Sequence, residues 1–273
     1  MCYGGARLMA PLPIIGDIIM FEAGIVLIVV GVMALAGMFV TKHKAGRLAN
    51  TPFAKTGEAA ANAGEKGAIS VEGAVNCTAP LTSPVTHTPC LVYTVEVTAK
   101  WKAGESSERC KFRDDQGAAS FSVDDGSGAI QVVPKDVSGL EDFKKTFDKT
   151  KGLGLMAAAK GGPIEFGDNG FTVDPDHPYE QNGKNLVLPS AVRNTAKFEV
   201  EEHTLGIPDT VYVCGFLQED GSIADAQWQS LLVTSKSRED YLGATMKMVK
   251  RTKVVSMVAL PLGGILALVG KLL

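Results

Sequence analysis

The sequence is short of the signatures that usually announce chemistry. It has five cysteines, Cys2, Cys77, Cys90, Cys110 and Cys214, an odd number at long spacings with no CxxC pair. That argues against a zinc ribbon or a thioredoxin-like site and leaves small apolar core residues or free thiols, which favour a reducing compartment. No GxSxG, P-loop or GxGxxG occurs, so no hydrolase elbow or phosphate-binding loop is marked. Neither sign of charge dominates. The 27 Lys and Arg stand against 30 Asp and Glu, a net of -3, and nucleic acid is not expected as a partner.

What the chain does have is apolar sequence gathered at its two ends. Residues 21 to 40 read FEAGIVLIVVGVMALAGMFV, with Glu22 the only charge. Twenty residues at 1.5 Å rise match a bilayer core of ~30 Å, so residues 21–41 are predicted to span a membrane. A secretory signal peptide is the alternative. It is disfavoured by the length of the run, its late start and the lack of a small-residue cleavage site before Lys42. Residues 246–273 form the second predicted span, ending VVSMVALPLGGILALVGKLL. Ala259, Gly263 and Ala267 are four apart and form a stripe that lets another helix approach closely, either the first helix or a second copy. Lys42, His43, Lys44 and Arg47 follow the first run, and Lys247, Lys250, Arg251 and Lys253 precede the second. The excess of Lys and Arg there predicts a cytoplasmic middle and two outward termini, as in a bacterial inner membrane.

Between the helices the pattern is mostly β. Residues 1–20 are an N-terminal segment, 42–66 read as a tether, and 67–245 as one domain with an insertion at 135–195. Alternating apolar segments at 69–75, 90–101, 121–133, 197–204 and 210–217 are joined by turns rather than helical crossovers. The expected fold is therefore mainly β within an α+β whole: an antiparallel barrel or sandwich, with an OB-like barrel among the options. Val95 and Val132 are expected inside, Glu96 and Gln131 outside. Leu140, Phe143 and Phe147 are three and four apart and predict a short helix in the insertion, which is taken as the most mobile part and the binding surface.

Candidate chemistry is thin. His87 and Cys90 share a Pro-rich loop and could form a nucleophile pair, although no third group orients them. Asp124 and Asp125 in DDGSG lack the spaced oxygens of a calcium loop and fit a hairpin turn better. Asp174, Asp176 and His177 make an acidic loop patch. Glu201, Glu202 and His203 lie on a predicted strand, where the logic of helical HExxH does not apply. No cofactor or metal is expected.

Three blocks, SPVTHTPCLVYTVEV (83–97), SFSVDDGSGAIQVVP (120–134) and FEVEEHTLGIPDTVYVCGFL with LLVTSKSREDYL (198–217 and 231–242), resemble the GIDE domain, also called the "beside a membrane" domain. The two flanking apolar runs fit that family's layout. The resemblance implies kinship with membrane ubiquitin ligases of mitochondria and plastids, which add a RING finger. This sequence has no Cys/His array for two zinc ions, so it resembles the RING-less prokaryotic branch and ligase activity is not carried over. The expected function is a membrane-anchored interaction or sensor module. A ligase-related component, a thiol-dependent hydrolase, or an assembly stabiliser working through the small-residue stripe are the alternatives.

Overall fold

The computed structural model describes residues 15–104, 106–152, 162–175, 179–181, 184–186, 195–226 and 229–272. They fall into two compact units, one built from the two ends of the chain and one spanning Thr51–Arg238.

In chain order the helices are α1 (Ile15–Asn50), the single turn α2 (Ala59–Asn62) and α3 (Arg238–Leu272). Both α1 and α3 are long and apolar enough to cross a membrane, over Phe21–Asn50 and Arg238–Lys271. At 1.5 Å per residue each runs to roughly 50 Å, well beyond an apolar slab of ~30 Å. The buried positions of α1 include Gly24, Gly31, Ala45 and Leu48; those of α3 include Tyr241, Ser256, Ala259 and Gly263. Spacings near three, four and seven are those of a coiled-coil seam. The seam is antiparallel: Gly24 faces Ala267, Gly31 faces Leu260, and the Lys44 ammonium lies 5.6 Å over the Tyr241 ring.

The strands of the second unit are β1 (Ala68–Asn76), β2 (Leu81–Thr82), β3 (Pro89–Cys90), β4 (Val92–Ala103), β5 (Ser106–Ala118), β6 (Phe121–Asp124), β7 (Ile130–Val133), β8 (Lys144–Gly152), β9 (Ile164–Phe166), β10 (Phe171–Val173), β11 (Tyr179–Gln181), β12 (Lys184–Leu186), β13 (Lys197–Leu205), β14 (Thr210–Leu217), β15 (Ile223–Ala224) and β16 (Leu232–Thr234). Five of them close a barrel in the order β1-β6-β7-β15-β14 and back to β1, with β16 also paired to β14. Ile69, Val71, Phe121, Val123, Val132, Val211 and Val213 fill it. Gly215 on β14 permits this packing. A Cβ there would sit 2.6 Å from Leu231 and 2.7 Å from Ile223, so the close approach needs glycine.

A second sheet, ordered β5-β4-β13-β8, stands apart from the barrel. Its inner face carries Val95, Val97, Ala99, Phe112, Phe198 and Val200, closed over by Ile164, Phe166, Phe171 and Val173 of the β9–β10 hairpin. Phe112 and Phe198 meet edge to face at 5.5 Å. As the alternation predicts, Val95 and Val132 are buried while Glu96 and Gln131 are exposed.

Several expectations are corrected. The alternating segments do not share one barrel, because 90–101 and 197–204 belong to the second sheet. One pairing, β15 with β7, is parallel. There is no helix near Leu140 to Phe147: Leu140 plugs the barrel core, Asp142 takes a φ of 63° and turns the chain, and Lys144 onward pairs with β13 as a strand. The three-and-four spacing came from apolar residues serving different packing sites. Nor is the insertion simply decoration, since its β9–β10 hairpin is core. The segment read as a tether divides: α1 continues to Asn50, and beyond it Ala54 and Ala59 are buried against the barrel.

Candidate functional site

The outer face of the second sheet is densely charged. Alternation along β4 puts Glu96, Thr98 and Lys100 outward, and along β13 it puts Glu199, Glu201 and His203 outward. All of these but His203, with Arg109, Cys110 and Lys111 of β5, line an open groove of about 430 Å³. A shallower hollow of about 330 Å³, reaching Asp114, Phe143 and His203, continues along the same face. The charges interlock. Lys111 bridges Glu96 at 2.7 Å and Asp114 at 3.0 Å, Lys100 bridges Glu199 at 2.6 Å, and Lys145 bridges Asp148 at 2.9 Å and Glu201 at 3.0 Å. The hydrogen bond from Lys111 holds the Glu96 carboxyl below its usual range, and the same partners raise Lys111. Asp148, Glu199 and Glu201 are close enough together to share an ion, but each is already paired with Lys100 or Lys145.

Beneath that sheet lies the feature the sequence reading passed over. Glu202 shares the inward parity of Phe198 and Val200 and has no exposure to solvent. Its carboxylate is fully engaged. One oxygen accepts the Val85 amide at 2.7 Å and the Thr86 amide at 3.3 Å. The other accepts the Thr86 hydroxyl and, at 2.8 Å, the Thr146 hydroxyl. The loop from Ser83 to Thr88 is folded over this anchor, with Ser83, Thr86 and Thr88 hydroxyls bonded to one another or to the loop backbone. The signal was available: strand parity points Glu202 inward, and an inward carboxylate needs donors, which a hydroxyl-rich loop supplies.

His87, near the end of this loop, and Cys90, on β3 just beyond it, differ sharply in exposure. His87 is exposed, with a φ of 55°, and its amide donates to Ser83. Cys90 is buried, its thiol 3.7 Å from the Leu81 carbonyl. Burial, then the charge of Glu202, pushes the Cys90 thiol up to about 11. A nucleophilic cysteine needs the opposite shift. A pH dependence follows. In the unfolded chain the thiol ionises near 9.0 but in the folded chain near 11, so stability falls as pH rises through that interval. Urea unfolding of Cys90→Ala should show a flatter loss over this range than the parent protein. Raised Tyr93, Tyr212 and Cys110 leave a residual slope.

The other sequence candidates are placed as follows. Asp124 accepts the Gly126 amide, and Asp125 accepts the Ser127 amide and hydroxyl and the Thr56 hydroxyl. The Ser127 hydroxyl, then that of Thr56, holds the Asp125 carboxyl far below its usual range. This is a turn tied to the segment after α1. Asp176 and His177 lie outside the described residues. In the helical unit, Ala259 is buried, Gly263 lies against Gly24 and Ile28, and Ala267 lies against Gly24. The partner of the small-residue stripe is thus α1 of the same chain, through Gly24 and Ile28. No family model, no curated protein and no solved structure matches this chain.

Proposed function

We propose that the chain is a membrane-anchored interaction or sensor module of the GIDE type. Its two apolar helices hold it in a bilayer, and its second sheet presents a charged face to a protein partner. The observation that carries this reading is the interlocked charge of the groove. Each carboxylate of Glu96, Asp114, Asp148, Glu199 and Glu201 has a lysine partner, which suits exchange of ion pairs with a complementary surface better than movement of protons. The barrel order, with its one parallel pair between β7 and β15, supports an OB-like reading, an architecture used elsewhere as a binding platform. The Lys and Arg that flank the apolar runs support a cytoplasmic β unit.

The test is cross-linking in native membranes from a photoreactive residue at Thr98, beside the groove. A single partner should be captured, and Lys100→Glu with Lys111→Glu should lose it while the unit stays folded. A turnover activity abolished by one substitution, with no partner recovered, overturns the reading. For orientation, half-exposed Cys77 should react with an impermeant maleimide only in broken cells. Cys214 is buried and will be silent in either orientation.

A further inference from the structure

The juxtamembrane parts of α1 and α3 carry an unbalanced charge. From Lys42 to Asn50 and from Ala244 to Leu272 there is no Asp or Glu, while Lys42, Lys44, Arg47, Lys247, Lys250, Arg251 and Lys253 are cationic. On α3, Lys247 and Lys250 are three apart, as are Lys250 and Lys253, and Arg251 is four beyond Lys247, so each cation has another beside it on the helix surface and the four together spread over about half of its circumference. All four are exposed, as is Lys42. The groove described above is different, because its charges cancel.

The register of the hairpin sets their depth. Gly31 of α1 lies against Leu260 of α3, and the helices run antiparallel. Seven residues on from that contact along each helix, Lys253 comes level with Met38, within the apolar run of α1. It is therefore about one helical turn deeper than Lys42, a rise of ~6 Å. Arg251 and Lys250 come level with Val40 and Thr41. One helix thus places cations where its neighbour is still apolar. In a bilayer that level is the boundary between acyl chain and headgroup, and long basic side chains reach from it to phosphates.

We propose that Lys247, Lys250, Arg251 and Lys253 of α3, with Lys42 of α1, form a binding site for the phosphate headgroups of anionic phospholipids. The proposal rests on the membrane reading given above. Its basis is the cation cluster on helical stretches that hold no Asp or Glu, and the stagger that sets it at headgroup depth. A cluster of four to eight cations beside a spanning helix is the composition that anionic lipid surfaces attract.

The test is native mass spectrometry of the full chain in detergent, titrated with phosphatidylglycerol or phosphatidylcholine. The parent protein should retain phosphatidylglycerol in preference, and the preference should weaken in added salt. The triple variant Lys250→Gln, Arg251→Gln, Lys253→Gln should lose at least about ten-fold in retention, from a factor of roughly five per cation. It should still insert into phosphatidylcholine nanodiscs. Equal retention of the two lipids by the parent, or an unchanged preference in the variant, overturns the site. Displacement of the lipid by glycerol phosphate at equal concentration also overturns it, since the cluster would then read phosphate without the lipid. Recovery of the parent chain as a soluble species without detergent instead overturns the membrane reading itself.

Discussion

Glu202→Ala is expected to lower the stability of the β unit by about 3 kcal/mol, because the buried Val85 and Thr86 amides lose their acceptor and have nowhere to turn. For a unit of this size that is a fall in melting temperature of roughly 6–12 °C, readable by circular dichroism of the detergent-solubilised chain. Glu202→Gln separates the causes. Its carbonyl oxygen can keep the two amides, and the Thr86 and Thr146 hydroxyls can rotate to accept from its NH2 group. It should stay within about 1 kcal/mol of the parent, since it also removes a buried charge. If Glu202→Ala melts with the parent, the loop is held by something other than this carboxylate.

Gly263→Leu is the second large effect, expected in the helical unit. A Cβ at Gly263 would stand 2.8 Å from the Gly24 carbonyl and from the Ile28 amide, both backbone atoms that cannot step aside. The helices must separate or shift, at a cost of about 2–4 kcal/mol in lost packing. Gly264, the next residue, has open space around its Cβ position. Gly264→Leu is therefore the control and should be close to neutral. The measurement is disulfide formation between cysteines introduced at Gly31 and Leu260, which face each other across the seam, in the cysteine-free background. Cross-linking should drop sharply in Gly263→Leu and persist in Gly264→Leu. Equal cross-linking in both variants would mean that the glycine contact does not hold the hairpin.

Much of this was legible in the sequence for physical reasons that can be named. The apolar runs are long and carry a single charge each, Glu22 and Lys271, so both helices could be read directly. Period-two alternation placed Val95, Val132, Glu96 and Gln131 on their correct faces. What alternation cannot give is which sheet a strand joins. The segments at 90–101 and 197–204 have the same pattern as barrel strands, and only long-range pairing sends them elsewhere. Leu140, Phe143 and Phe147 imitate a helix by coincidence of spacing, and Asp142 in the left-handed region breaks the imitation. Glu202 shares the parity of Phe198 and Val200, but the donors that let it sit inside come from Val85, Thr86 and Thr146, far away in sequence, and alternation alone does not reveal them. The stripe on α3 was legible, and α1 was one of its two possible partners; which residues of α1 receive it was not, because Gly24 and Gly31 are seven apart and lack the four-residue spacing of the stripe itself.

The way the barrel closes bears on how the chain is made. Strand β1 pairs with β14 over most of its length, from Ala68 with Phe216 to Ala74 with Thr210. Roughly 130 residues of chain separate the two, which at ~5–20 residues per second is on the order of ten seconds of synthesis. During that interval β6 is available to β1 only from Ala74 to Asn76, and the rest of the strand emerges with no sheet to join. The β4–β5 hairpin is local and can zip without delay. The nascent protein thus gains part of its second sheet while the barrel stays open, and final closure is a late, long-range event of the kind that folds slowly. An unpaired apolar strand waiting within twenty residues of a long apolar helix is where aggregation or chaperone capture would begin.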